Sequence, residues 1–193
     1  MANSAIATPT LLTDPGFLYW APIGSTLPTA VSTASCFSDT WPVAWIPLGM
    51  TESGTEFDIT TTVSPITAAE TIDPLVFRTT DRTGTITFDL KALTATNLAR
   101  CFNGASTTVT GSGATTITQI DPPAAGAEVR CMIGFESLDS TFRFVAFQCI
   151  NATDIKLAFA KAPKNTNIPF KLMLEKPAAT QPWRMWTAGS ARA

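Results

Sequence analysis

A mainly β chain, built as a β-sandwich or half-barrel with one flanking α-helix, is what the sequence predicts, and three observations carry that prediction. Short runs of alternating apolar and polar residues recur along the chain, bounded by Gly, Pro or Asn. Helical spacing replaces the alternation over one stretch, Thr94 to Phe102. A hydrophobic content of 45%, with 12 Phe and 5 Trp in 193 residues, is enough to fill a single core. The same pattern divides the chain into an N-terminal arm over 1–15, a β-sandwich domain over 16–175 that contains a long inter-strand loop, and a C-terminal arm over 176–193.

Met1 to Pro15 is small, Ala/Thr-rich and aperiodic, which predicts an arm ordered by its neighbours. Gly16 to Gly24 (Gly-Phe-Leu-Tyr-Trp-Ala-Pro-Ile-Gly) is aromatic and β-branched and reads as the first strand. Pro22 has no N–H to give a ladder, so it places that strand toward an edge or an end. Ser25 to Asp39 reads as a polar loop, Trp45 to Leu48 as a short strand and Gly49 to Gly54 as a turn. Glu56 to Thr60 then alternates, with Phe57 and Ile59 on one face and Glu56, Asp58 and Thr60 on the other. Thr85 to Lys91 repeats the code: Ile86, Phe88 and Leu90 face the core, and Thr85, Thr87, Asp89 and Lys91 face away. Two strands thus share one acidic, Thr-rich face.

Between these strands lies an excursion, Val63 to Arg82. It carries Ile66, Ile72, Leu75, Val76 and Phe77 among small polar residues, too apolar for a free loop and too long for an ordinary hairpin connection, so it is expected to dock on something. The helix that follows puts Leu98, Cys101 and Phe102 on one side, with Thr94 as N-cap and Asn103-Gly104 as a left-handed stop. Thr107 to Thr118 reads as a loose hairpin or loop, and Asp121 to Gly126 interrupts any element. Glu128 to Glu136 predicts a strand with Val129, Cys131, Ile133 and Phe135 inward and Glu128, Arg130, Met132 and Glu136 outward. Thr141 to Ile150 is apolar on both faces, which fits a central strand or one whose outer face meets another subunit. Asp154 to Lys161 and Ile168 to Glu175 add two strands, with Ile155, Leu157 and Phe159, and then Phe170, Leu172 and Leu174, facing inward. Lys176 to Ala193 is a second arm, polar except for Trp183, Met185 and Trp186.

Chemistry is as informative in what it lacks. There is no histidine, which removes the commonest general base and metal ligand. Cys36, Cys101, Cys131 and Cys149 are widely spaced with no CxxC pair, so no metal site is expected, and Cys131 and Cys149 read as small buried hydrophobes kept reduced. No nucleophile elbow or Gly-rich phosphate loop occurs, so neither an enzyme nor a cofactor is expected. A net charge of −2 without a Lys/Arg cluster speaks against specific nucleic-acid binding. No stretch approaches the roughly 20 apolar residues of a membrane span, and the N-terminus lacks a charged, apolar leader, which points to a cytosol. Only 15% of residues are charged, against about 25% in an average globular domain, so much of the surface is expected to be covered by partners.

In order and spacing over Gly16 to Glu175, the chain resembles the major tail tube proteins of long-tailed, siphovirus-type bacteriophages. The resemblance rests on Leu-Tyr-Trp-Ala-Pro-Ile-Gly24, the turn Trp45-Ile-Pro-Leu-Gly-Met-Thr-Glu-Ser-Gly54, Glu56 to Thr62, the excursion, Gly84 to Lys91, the Thr-Asn-Leu helix and the late strand Ile168-Pro-Phe-Lys-Leu-Met-Leu174. It implies a structural virion protein, assembled in the host cytoplasm, whose hexameric rings stack into a tube that conducts DNA. The implied partners are further copies of itself, tape measure protein and DNA in the lumen, and terminator and baseplate proteins at the ends. Glu56, Asp58, Thr60, Thr85, Thr87 and Asp89 would then face the lumen, with Lys91 and Arg78 as the cations to watch. Ile66, Ile72, Leu75, Val76 and Phe77, together with Trp183 and Trp186, would make inter-subunit contacts. On the residues alone, the polar face is equally an ordinary solvated sheet surface, and the C-terminal arm can dock on its own domain. Two other functions stay open at this level: a ring-forming tail terminator or baseplate protein, and a carbohydrate-binding β-sandwich using Trp20, Trp41 and Trp45.

Overall fold

The computed structural model describes residues 15–28, 40–67, 73–138, 140–157 and 166–187. Ten strands and one α-helix order themselves along these residues as β1 Gly16–Pro22, β2 Ile46–Gly49, β3 Thr51–Ile66, β4 Val76–Leu90, α1 Ala95–Cys101, β5 Ser106–Thr110, β6 Ile117–Asp121, β7 Cys131–Ser137, β8 Phe142–Asn151, β9 Ile168–Leu174 and β10 Trp183–Thr187. The main sheet runs β2-β1-β7-β8-β9-β4-β3, with β10 also paired to β8, while β5 and β6 form a separate hairpin. All pairings are antiparallel.

One strand turns this single sheet into two layers. β7 lines one edge of β8, from Cys131 opposite Cys149 to Glu136 opposite Arg143. Two different strands divide the other edge: β10 takes Phe142 to Ala146, and β9 takes Cys149 to Asn151. The fork falls at Phe147 and Gln148, where the Phe147 N–H donates to the Pro182 carbonyl at 3.0 Å and the Glu175 N–H donates to the Gln148 carbonyl at 2.9 Å. From there β9-β4-β3 folds back over β10-β8-β7-β1-β2. Phe57 of β3 thereby meets Phe144 of β8 at a ring-centroid distance of 4.3 Å, although two strands separate them in the sheet. The result is the mainly β, helix-flanked sandwich that the alternation predicts.

Between the layers lie Leu18, Ile86, Phe88, Leu90, Ile133, Phe144, Phe170 and Leu172, all buried. Each such side chain contributes about 1.5–3 kcal/mol by leaving water. A second cluster, Ala21, Trp45, Met132, Val145 and Phe147, covers the opposite face of β1, β7 and β8. β8 is therefore a central strand, and its apolar character on both faces has an intramolecular cause. The second cluster also corrects the reading of β7. Met132 and Glu136 are buried rather than outward, because Trp41 and Trp45 fold over that face. Val129 is exposed rather than inward, because the strand begins only at Cys131.

Several other elements differ from expectation. The turn at Gly49 to Gly54 shrinks to the reversal around Met50. Gly54, at φ +88°, instead forms a bulge inside β3, where the register skips between Thr51 and Thr55. Residues 154–157 are not a strand, yet Ile155 and Leu157 still pack against the core; Phe159 lies outside the described residues. The excursion is not irregular either. β3 and β4 stay paired as far as Ile66 opposite Val76, so most of it is a protruding β-ribbon. The C-terminal stretch supplies a strand, β10, rather than running free over its described residues.

The helix behaves as its sequence demands. Thr94 Oγ1 accepts from the Asn97 N–H at 3.1 Å, and Asn103 and Gly104 end the helix at φ +54° and +89°. Side-chain amides then bolt it to the sheet. Asn97 Nδ2 donates to the Leu48 carbonyl at 3.1 Å, and Asn151 Nδ2 donates to the Cys101 carbonyl at 2.8 Å. Asn103 and Asn151 complete the attachment by exchanging backbone and side-chain bonds at 2.8 Å.

Beneath Trp41 sits the one fully buried guanidinium among the described residues. Arg143 donates to Glu136 at 3.1 Å, and its cation lies 5.2 Å from the Trp41 ring. Trp41 Nε1 donates to the other Glu136 oxygen, and Trp41 stacks on Tyr19 at 4.3 Å. Removing one member strands a buried charge. Arg143→Ala is expected to lower the unfolding free energy by about 3–5 kcal/mol in urea denaturation followed by Trp fluorescence; a loss below about 1 kcal/mol would show that the pair is dispensable.

The described cysteines are free and buried. Burial pushes the Cys131 thiol up to about 12 and Cys101 to about 11, from 9.0. The folded chain therefore keeps protons that the unfolded chain releases once pH passes 9.0, so this contribution to stability falls as pH rises from there toward about 12. Cys131→Val should flatten the decline of the urea midpoint between pH 9.0 and about 11, and an unchanged slope would count against the effect.

Candidate assembly surfaces

The polar face predicted from alternation exists, and register assembles it. Across β3 and β4, Glu56 stands opposite Thr87, Asp58 opposite Thr85 and Thr60 opposite Thr83. Directly opposed residues share a face, so these side chains form one exposed patch backed by Phe57, Ile86 and Phe88. Asp89 continues it along β4. Sequence reasoning missed the third strand of the face: β9 sets Lys171 opposite Thr87 and Met173 opposite Thr85. Their side had been legible from the inward Phe170 and Leu172, but strand alternation cannot say that β9 lies beside β4. Lys171 puts one cation among the three carboxylates. Lys91 is already engaged, 2.6 Å from Glu52.

The outer edge of β3 pairs with nothing among the described residues along a 16-residue strand. Such an edge presents a row of unpaired N–H and C=O groups, a template for pairing with another chain. Beyond Thr60 and Thr83 the ribbon leaves the domain. Val63, Ile66, Leu75, Val76 and Phe77 are all about half exposed or more, so they do not fold back on their own sandwich. Ser64 opposite Arg78 and Ile66 opposite Val76 share one side of the ribbon, while Pro65 opposite Phe77 and Val63 opposite Thr79 share the other. Ile72 lies outside the described residues.

The remaining aromatic candidates serve the fold of their own chain. Trp183 lies 5.9 Å from Phe57 and 6.4 Å from Phe144, and Trp186 packs on the outer cluster beside Val145 and Phe147. Trp41 is stacked on Tyr19, and Trp45 is buried with Nε1 donating to the Thr26 carbonyl at 2.8 Å. Arg100 covers the Trp20 ring at 4.6 Å. Flat aromatic faces for sugar stacking are thus already occupied at all three positions. Cys36 lies outside the described residues, and among those described no group of His, Cys, Asp or Glu is arranged to hold a metal ion. Nor is any described helix long and apolar enough to cross a membrane.

An apolar cavity of about 110 Å³ opens between the layers, lined by Leu18, Phe57, Ile86, Ile133, Phe135 and Phe144 among others, with no titratable side chain on its wall. It offers packing space rather than reaction chemistry. Among the described residues, the polar face, the unpaired edge of β3 and the ribbon are the candidate assembly surfaces.

A phage tail tube protein family model matches residues 3–164, which is most of the chain. No curated protein matches it. An antiparallel sandwich with an unpaired edge and a protruding ribbon agrees with that match, and the chain belongs to the phage tail tube proteins, structural and non-enzymatic components of the virion tail that self-assemble into its tube.

Proposed function

We propose that this chain is the major tail tube subunit, that six copies close into a ring, and that rings stack into a hollow tube whose lumen conducts DNA into the host. The observation that carries the reading is the register of Glu56 and Asp58 against Thr87 and Thr85 on an exposed face that ends in an unpaired strand edge. Pairing of that edge with the next subunit would continue the sheet around the axis and hold the polar face inward. Carboxylates and hydroxyls suit a passage for DNA, because they repel or merely hydrate phosphate, whereas a basic stripe would grip it. Lys171 would stand among the acids, and Lys91 at the end of the same face is paired with Glu52. Tape measure protein would occupy the lumen before DNA, with terminator and baseplate proteins at the two ends and assembly in the host cytoplasm.

The protruding ribbon, with Leu75 and Phe77 exposed at its end, is the element assigned to contacts between rings, whereas Trp183 and Trp186 pack within their own domain and are not assigned to those contacts. A terminator or baseplate ring has the same need for lateral closure, but it stops at one ring. Negative-stain microscopy of the purified protein over a concentration series is the test. Hollow tubes with a regular axial repeat are expected, whereas closed single rings or persistent monomers would overturn the reading. Asp58→Lys combined with Asp89→Lys is expected to leave tails intact and to slow genome release by about tenfold or more, since each ring would gain a belt of phosphate-binding cations. Wild-type release from well-formed tails would remove these residues from the lumen.

A further inference from the structure

The apolar cavity between the layers carries one polar mark. Leu18, Ile133 and Phe144 in its floor are buried, whereas Thr55, Phe135 and Phe142 at its rim are half-buried. Strand register builds both walls. Leu18 of β1 stands opposite Phe135 of β7, which stands opposite Phe144 of β8, so one row across three strands turns apolar side chains inward. On the facing layer Phe57 stands opposite Ile86 and Thr55 opposite Phe88, which puts Thr55 on the core face of β3 where alternation would otherwise place an apolar residue. The bulge at Gly54 brings Thr55 to that position: pairing skips from Thr51 to Thr55, and no atom lies within 4 Å of where a Cβ on Gly54 would be. Beside Thr55 the two layers do not interlock, and a space of about 110 Å³ remains.

We propose that this cavity is a binding site for a small aromatic of the phenol class, with the ring against Leu18, Ile133 and Phe144 and the hydroxyl hydrogen-bonded to Thr55 Oγ1. Size selects a single ring. A cavity of roughly 150 Å³ lined by Leu, Ile and Phe takes up benzene. This one is smaller but open at its rim, so a ring can enter while its substituent stays at the mouth beside Thr55. Phe135 and Phe142, with centroids 6.2 Å apart, offer that ring stacked or edge-on contacts. Water is a poor occupant, because a buried water needs about two to four polar partners and Thr55 brings the one side-chain hydroxyl on the wall. Benzene fills the same space without using that hydroxyl, which gives phenol its preference. The ligand is a free molecule and not a side chain of another copy: the one tyrosine of the chain, Tyr19, is stacked on Trp41 at 4.3 Å. The site lies inside a single subunit, so it does not depend on the tube reading.

Calorimetric titration of the full chain with phenol and, separately, with benzene is the test. Saturable binding of one phenol per chain is expected, with benzene bound about fivefold more weakly. Thr55→Val, which keeps the shape and removes the hydroxyl, should weaken phenol by about fivefold and leave benzene within about twofold of its original affinity. Thr55→Phe sets a ring in the mouth of the cavity and should abolish binding of both compounds. No saturable binding of either compound to the unaltered chain overturns the site, as does phenol binding that survives Thr55→Phe. Undiminished phenol affinity in Thr55→Val overturns the hydroxyl contact and the phenol class with it. Should Thr55→Phe fail to fold, competition replaces it: saturating benzene should block phenol on the unaltered chain, and independent binding of the two overturns the shared site.

Discussion

Strand β8 must satisfy its backbone while buried on both faces, and the rest of the molecule follows from how it does so. A buried N–H or carbonyl without a partner costs about as much as a lost hydrogen bond, so both edges of β8 need strands along their length. β7 supplies one edge, but the other is shared by β10 and β9, which diverge at Phe147 and Gln148. That divergence opens a single sheet into two layers and creates the interior that Phe57, Phe144 and Trp183 fill together. It also sends β9, β4 and β3 out as a layer of their own, with one face on the core and the other free. The presented polar face is a by-product of the fork.

Charge is distributed with equal economy. The buried Arg143–Glu136 pair lies on the outer side of β7 and β8, roofed by Trp41, where it joins two strands that hydrophobic packing alone would leave free to slide. Register errors are costly in such a pair, because a one-residue slip would bury each charge alone. Most other charges in the β3–β4–β9 layer stand on its free face or at its ends.

How much was legible in advance depended on whether the signal was local. Helix α1 was readable from Thr94 to Gly104, because caps and left-handed stops act over a few residues. Phe57, Ile86, Phe88 and Leu90 were placed correctly by alternation, as were the outward Glu56, Asp58, Thr85 and Thr87. Alternation failed at Met132 and Glu136, whose outer face is covered by residues some ninety positions earlier in the chain, as the Trp41 to Glu136 bond shows. It failed again at residues 154–157, where Ile155 and Leu157 pack against the core without pairing as a strand. The ribbon was mistaken for a loop because its Thr, Ser and Pro residues carry little apolar alternation, and pairing along β3 and β4 extends through residues that have no core to face.

The sequence by itself determined the β class, the helix and its caps, the two faces of β3 and β4, the absence of histidine chemistry and the order of motifs that resembles a tail tube protein. Those properties live in nearest neighbours and in a two-residue period, so they survive without knowledge of what packs on what. Only the tertiary structure decided that β9 adds Lys171 to the polar face, that β10 folds Trp183 into the domain's own core, and that one edge of β3 stays unpaired among the described residues. Strand adjacency and strand edges are set by pairings between distant segments, and the same alternating run of residues is compatible with many of them until hydrogen-bond satisfaction and core packing select one.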